Sequence, residues 1–244
     1  MATGTVTYAA PVASVRFAPI EVSDPHQAVE KIIVEAPDSE RIQVVFHLLD
    51  VFTETQANNI AGDIVASITN RLAFELNRGI GQPYMEGFCL PKDASGSSYT
   101  VSKSAGLLWD VAAPTITLGD ESRQKLARLL EQPLARPYLY FAYRFAVNQS
   151  DNVARFMFLY NILLQLNHDK QPGVEAFIRK VMPAVVEYDD PRPNKTGKET
   201  VFTRLRNEVG HAREGTTPEQ TRDMIEGHVA ALQTLVKTAI SDAP

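Results

Sequence analysis

The run Leu205-Arg206-Asn207-Glu208-Val209-Gly210-His211 sets side chains able to do proton and oxyanion chemistry within six residues of one another. Histidine titrates near neutral pH and can take or give a proton, while arginine keeps its charge and can hold two oxygens of one anion. On an ideal helix Arg206 and His211 stand about 140° apart around the axis and about 7.5 Å apart along it. Asn207 and His211, four residues apart, share a face. One helix by itself therefore makes a poor Arg–His pair, and a second copy related by a two-fold axis would complete it. Gly210 marks a place where the helix frays or is closely approached. The alternative reading is structural: an Arg and a His in the last turn of any helix interact favourably with its negative end and cap free carbonyls.

Other constellations are weaker. Lys195-Thr196-Gly197-Lys198-Glu199 has Arg192 where a phosphate-binding loop needs its first glycine and Glu199 where it needs Ser or Thr. Gly79-Ile80-Gly81 lacks a third glycine and follows a helix, so it is a turn rather than a dinucleotide site. His26, His47, His168 and His228 have no second His or Cys at a metal-ligand spacing. No metal and no cofactor is expected. His228, on the helix after the motif, is the one histidine with a prospect of facing His211. The aromatic residues Tyr138, Tyr140, Phe141, Tyr143, Phe156, Phe158 and Tyr160 recur at helical spacing and are expected mostly in a core.

The elements that must position the motif follow from periodicity. Ahead of it, Thr5-Val6-Thr7-Tyr8, Ser14-Val15-Arg16-Phe17, Lys31-Ile32-Ile33-Val34 and Arg41-Ile42-Gln43-Val44-Val45-Phe46 read as strands. Ile60, Ile64, Ile68, Leu72 and Leu76 predict a helix, with Gly79 placed to end it. A stretch crowded with Gly81, Pro83, Gly87, Pro91, Gly96, Gly106 and Pro114 suits short strands, the clearest being Ser98-Tyr99-Thr100-Val101 and Thr115-Ile116-Thr117-Leu118. A helix from Asp120 to Gln132 then runs into Pro133 and Pro137, where the pattern changes and a domain boundary is placed.

Beyond it the period is helical. Expected helices cover Tyr138 to Val147, a segment capped by Ser150, and Val174 to Val186, the last bent or ended by Pro183. Residues 187–198 read as a polar loop. Thr196 and Glu199 form a capping-box pattern for the motif helix, and Thr217-Pro218-Glu219-Gln220 forms one for the last helix. The expected fold class is α+β: an N-terminal mixed strand/helix domain over residues 1–132, then an all-α bundle of about five helices over residues 133–244.

Composition narrows the function. The net charge is −5, which disfavours a protein that coats nucleic acid through many phosphate contacts. The charge is uneven, +1 over residues 133–244 against −6 over residues 1–132, so an anionic ligand would prefer the second half. A single cysteine, Cys89, excludes an intramolecular disulfide. Met1 to Ala10 has neither a basic nor an uninterrupted apolar leader segment, and no run of 18 apolar residues exists, so a cytoplasmic protein without a membrane span is expected.

The motif, near the end of the penultimate helix of a five-helix unit and with Asn directly after the Arg, resembles that of the HEPN superfamily. The wider segment from Glu199 to His211 also resembles the methylamine-utilisation MauJ proteins. The resemblance covers residues 133–244 at most and implies a metal-independent endoribonuclease, toxin-like or defence-like, with its site at a homodimer interface. His211 would be the general acid/base, Arg206 would stabilise the phosphorane, and Asn207 would orient phosphate or imidazole. The partners implied are an RNA substrate and a second copy meeting through the motif helix. The other outcome is a non-catalytic HEPN or MauJ-like accessory protein that binds a nucleotide, RNA or protein.

Overall fold

A computed structural model of the chain describes residues 2–92, 97–102, 115–189, 197–211 and 215–243. The expectations on Gly96, Gly106, Pro114 and Thr196 lie outside the described residues. The chain falls into two compact units, Met1–Tyr140 and Phe141–Pro244.

In the first unit the alternation seen in the sequence becomes one mixed sheet. Its strands are β1 (Thr3–Pro11), β2 (Val15–Val22), β3 (Val29–Ala36), β4 (Arg41–Leu49), β5 (Tyr84–Pro91), β6 (Ser98–Ser102) and β7 (Ile116–Thr117). The order is β6-β5-β1-β4-β3-β2-β7, antiparallel except for the β2–β7 pair. In β4, Ile42, Val44, Phe46 and Leu48 point to the buried face, as period-two alternation requires. Helix α1 (Glu54–Leu76) contributes Ala57, Ala61, Val65, Ile68 and Leu72 to the same core.

Two details differ from expectation. Helix α1 ends on Asn77, which takes the left-handed conformation at φ 55°, and not on Gly79. A short polar side chain tolerates that region when the helix carbonyls need a donor, and the Asn77 N–H supplies it to Ala73 and Phe74. The glycine-rich stretch also contains a long inner strand, β5, which has no clean alternation of its own. There Gly87 is needed, because a Cβ would stand 2.7 Å from the Val101 carbonyl oxygen. Helix α2 (Asp120–Leu130) closes the unit, together with the first turn of α3 (Pro137–Val147), whose Tyr140 ring packs at a tilt against Phe74, centroids 4.8 Å apart, and lies under Arg71.

The second unit contains the rest of α3, with α4 (Asn152–Leu166), α5 (Gln171–Val181), β8 (Glu187–Asp189), β9 (Lys198–Thr200), α6 (Val201–Gly210) and α7 (Pro218–Ser241). Tyr143, Phe156, Tyr160, Phe202, Leu205 and Leu232 are fully buried in it. The unit is helical but not all-α. The expected polar loop carries an antiparallel β8–β9 pair, Glu187 opposite Thr200 and Tyr188 opposite Glu199. The strand consumes the residues assigned to the start of the motif helix, so Thr200 is the N-cap of α6, its hydroxyl accepting from the Thr203 N–H at 3.4 Å. Asp151, not Ser150, caps α4 because its carboxylate reaches the Ala154 N–H at 2.8 Å. Helix α5 stops at Val181, since Met182 precedes Pro183 and leaves the helical region, with φ −130° and ψ 77°. The capping box of α7 forms as expected, with Thr217 and Gln220 bonding reciprocally and Pro218 at the first position.

Candidate functional site

Helix α6 buries Phe202, Leu205 and the Glu208 carboxylate on successive turns, and this fixes where its polar residues emerge. Arg206 is partly buried. Its Nη1 donates to Asn207 Oδ1 at 3.1 Å, and Asn207 Nδ2 donates to Glu199 Oε2 at 3.2 Å. The Glu199 carboxylate belongs to a residue only 3% exposed. The Nε of Arg206 is buried and has no hydrogen-bond partner. An unsatisfied buried donor costs about 1–3 kcal/mol, and more when charged, so its retention calls for a reason.

A chain of polar groups runs beneath the motif helix. Tyr160 on α4 meets Thr203 hydroxyl to hydroxyl at 2.8 Å, and the Thr203 Oγ1 lies 3.4 Å from the Thr200 Oγ1. The Thr200 N–H and hydroxyl both donate to Glu175, which in turn pairs with Arg179 at 3.0 Å. Arg179 also holds Glu187 at 2.6 Å and donates to the Lys198 carbonyl, so it clamps the base of the β8–β9 pair. Burial pushes the Tyr160 hydroxyl up to about 12; the Thr203 bond and Arg206 act downward, Glu175 and Glu199 upward.

His211 sits elsewhere. It is the C-cap of α6, exposed, with extended backbone (φ −148°, ψ 129°) and its N–H on the Asn207 carbonyl at 2.9 Å. The ideal-helix angle assumed a helix running through residue 211, and it stops at Gly210. Within one chain the structure brings Arg206 and Asn207 together and leaves the His211 ring without a partner among the described residues. His228 does not face it. Its ring packs edge-on against Phe202 at 6.0 Å, and Nδ1 bonds the Met224 carbonyl at 2.7 Å. A carbonyl only accepts, so Nδ1 carries the proton.

A cleft of about 620 Å³ opens at the end of α6 against the start of α7, lined by Glu208, Val209, Thr217, Thr221, Arg222 and Asp223. Its floor is the buried Glu208 carboxylate, bonded by Arg204 at 2.6 Å and by the Thr221 hydroxyl at 3.1 Å. Arg204 lies over the Tyr188 ring at 4.0 Å, tying β8 to the motif helix. Among the described residues, no group of three His, Cys, Asp or Glu is arranged to hold a metal, and no helix is long and apolar enough to cross a membrane.

Sequence reasoning singled out Arg206, Asn207 and His211 as candidates but did not show Glu199, Glu175, Tyr160 and Thr203 as a connected group beside them. One signal was present: Glu175 stands between Val174 and Ile178 on the buried side of α5, where a carboxylate needs partners. The chain matches no family model, no curated protein and no solved structure.

Proposed function

We propose that the C-terminal unit is a HEPN-type, metal-independent endoribonuclease of the toxin or defence kind. The observation that supports this best is the state of Arg206: one nitrogen of its guanidinium is fixed on Asn207, while its buried Nε remains an unused donor. No carboxylate among the described residues pairs with this partly buried guanidinium, which leaves its charge available to an anion. His211 stands exposed at the end of the same helix, open to a substrate. In the proposed reaction His211 takes the proton of a ribose 2′-hydroxyl, whose oxygen attacks phosphorus. The P–O5′ bond breaks as the 5′-oxygen takes a proton from the histidine imidazolium so formed, giving a 2′,3′-cyclic phosphate and a 5′-hydroxyl. Arg206 offsets the charge that grows on the phosphorane oxygens.

Because Arg206 is turned toward the buried group and His211 outward, two motif helices meeting across a two-fold axis would supply the site, Arg206 from one copy and His211 from the other. The first unit would sense a signal or restrain this site. The test is incubation of purified wild type and His211→Ala with total RNA in EDTA, followed by analysis of the ends. Cyclic phosphate and 5′-hydroxyl ends from the wild type alone are expected. Absence of cleavage, or equal cleavage by both, overturns the reading.

A second reading is favoured by the Arg206–Asn207–Glu199 chain, which gives Arg206 work inside the fold, and by the net charge of −5. The protein would then be a non-catalytic HEPN or MauJ-like module binding a nucleotide, RNA or protein partner. A wild type inert toward RNA, with an Arg206→Ala variant that folds poorly, is the outcome it requires.

A further inference from the structure

We propose that Glu199 is a positioning residue for Arg206, acting through Asn207. This rests on the reading of Arg206 as the phosphate-binding group. Glu199 is itself held on both sides: β9 pairs it with Tyr188, and the next residue, Thr200, is tied by its N–H and hydroxyl to Glu175. Its carboxylate is nearly inaccessible to solvent and receives the Asn207 Nδ2 at 3.2 Å across the first two turns of α6.

The consequence lies in the asymmetry of the Asn207 amide. An amide offers an NH2 donor at one end and a carbonyl acceptor at the other, and a carboxylate can only accept. Glu199 therefore selects one of the two orientations of Asn207, the one that turns Oδ1 toward Arg206 Nη1 at 3.1 Å. Without Glu199 the Asn207 Nδ2 loses its buried acceptor, and only the guanidinium holds the amide in place. Arg206 is then anchored on a side chain that is itself loosely held, and its unpartnered Nε is no longer fixed in place. Glutamine at position 199 keeps an acceptor for Asn207 without the charge, so acceptor and charge can be separated.

The test reads Arg206 directly, apart from any activity. In the full chain, the arginine Nε–H resonance that disappears in Arg206→Lys identifies the group. A buried Nε–H is shielded from solvent exchange, so it is expected as a resolved signal in the wild type and in Glu199→Gln, and lost in Glu199→Ala and Asn207→Ala. Urea unfolding of each variant shows that the fold persists. If Glu199→Ala does not fold, Asn207→Ala, altered at a less buried position, still breaks the relay. A signal kept in Asn207→Ala or in a folded Glu199→Ala, or lost equally in Glu199→Gln, overturns the proposal. RNA cleavage by the same proteins separates the two ideas. A wild type that does not cleave removes the proposed function while the resonance still decides the relay. With cleavage present, Glu199→Ala is expected to lower kcat by about 10²-fold at nearly unchanged KM, the scale of a misplaced reacting group, with Glu199→Gln close to wild type. A fall of the same size in Glu199→Gln, or a change confined to KM, counts against positioning.

Discussion

Tyr160 and Thr203, 43 positions apart in the chain, share a buried hydrogen bond of 2.8 Å between α4 and α6. Tyr160 is 1% exposed and Thr203 fully buried, so neither hydroxyl has water as a substitute. The bond fixes the turn of α6 against α4, and with it the side on which Arg206 and Asn207 emerge.

Alkaline titration should reveal this bond. Burial raises the hydroxyls of Tyr160 and Tyr8 to about 12, and raises that of Tyr143 further. A folded-state value above the unfolded value near 10 means that the native form holds its proton longer, so the stability it contributes is intact below pH 10 and lost as pH climbs toward 12. Tyrosinate absorbance is expected to show three of the eight tyrosines titrating late. Tyr160→Phe should remove one of them and cost about 1 kcal/mol in urea unfolding. Eight tyrosines titrating together near pH 10 in a folded protein would contradict the packing.

The Glu208 carboxylate gives a stability test at the cleft. Its side chain is 1% exposed and is bonded by Arg204 and Thr221. Thr221→Val removes one donor and should cost about 1–2 kcal/mol. Arg204→Ala removes the cation; because Arg204 is a quarter exposed, solvent screening holds the expected loss to about 2–3 kcal/mol. Denaturation midpoints unchanged in both variants would mean that water satisfies Glu208 from the cleft.

For the proposed reaction, Arg206→Ala and His211→Ala should each lower RNA cleavage by about 10²–10⁴-fold, the usual scale for a charge stabiliser or a general base. Their stabilities should differ. His211 is exposed and its loss should leave the melting temperature nearly unchanged, whereas Arg206→Ala dissolves a contact inside the bundle. Equal activity of the wild type and both variants would remove these residues from the chemistry.

A composite site also predicts complementation. Mixing Arg206→Ala with His211→Ala subunits should restore part of the activity, since some mixed dimers hold one intact pair. Sedimentation should find a dimer at micromolar concentration. A monomer at that concentration, or mixtures as inactive as their components, would turn the reading toward the non-catalytic alternative.

Much of this protein is set by local rules that a sequence displays. Strands β1 to β4 are legible because alternate residues face one core, and the start of α7 because Thr217, Pro218 and Gln220 satisfy orphan N–H groups within a single turn. Arg206, Asn207 and His211 were visible through residue type and spacing alone. Strands β5, β8 and β9 were not, because a short or irregular strand is stabilised by a neighbour that its own sequence does not specify. The same reason governs the site. Whether Asn207 meets Glu199, whether Thr200 meets Glu175 twenty-five residues away, and whether His228 faces His211 or packs on Phe202 depend on how α4, α5, α6 and α7 settle against one another. A buried polar group takes its role from the partner that satisfies it, and tertiary packing chooses that partner.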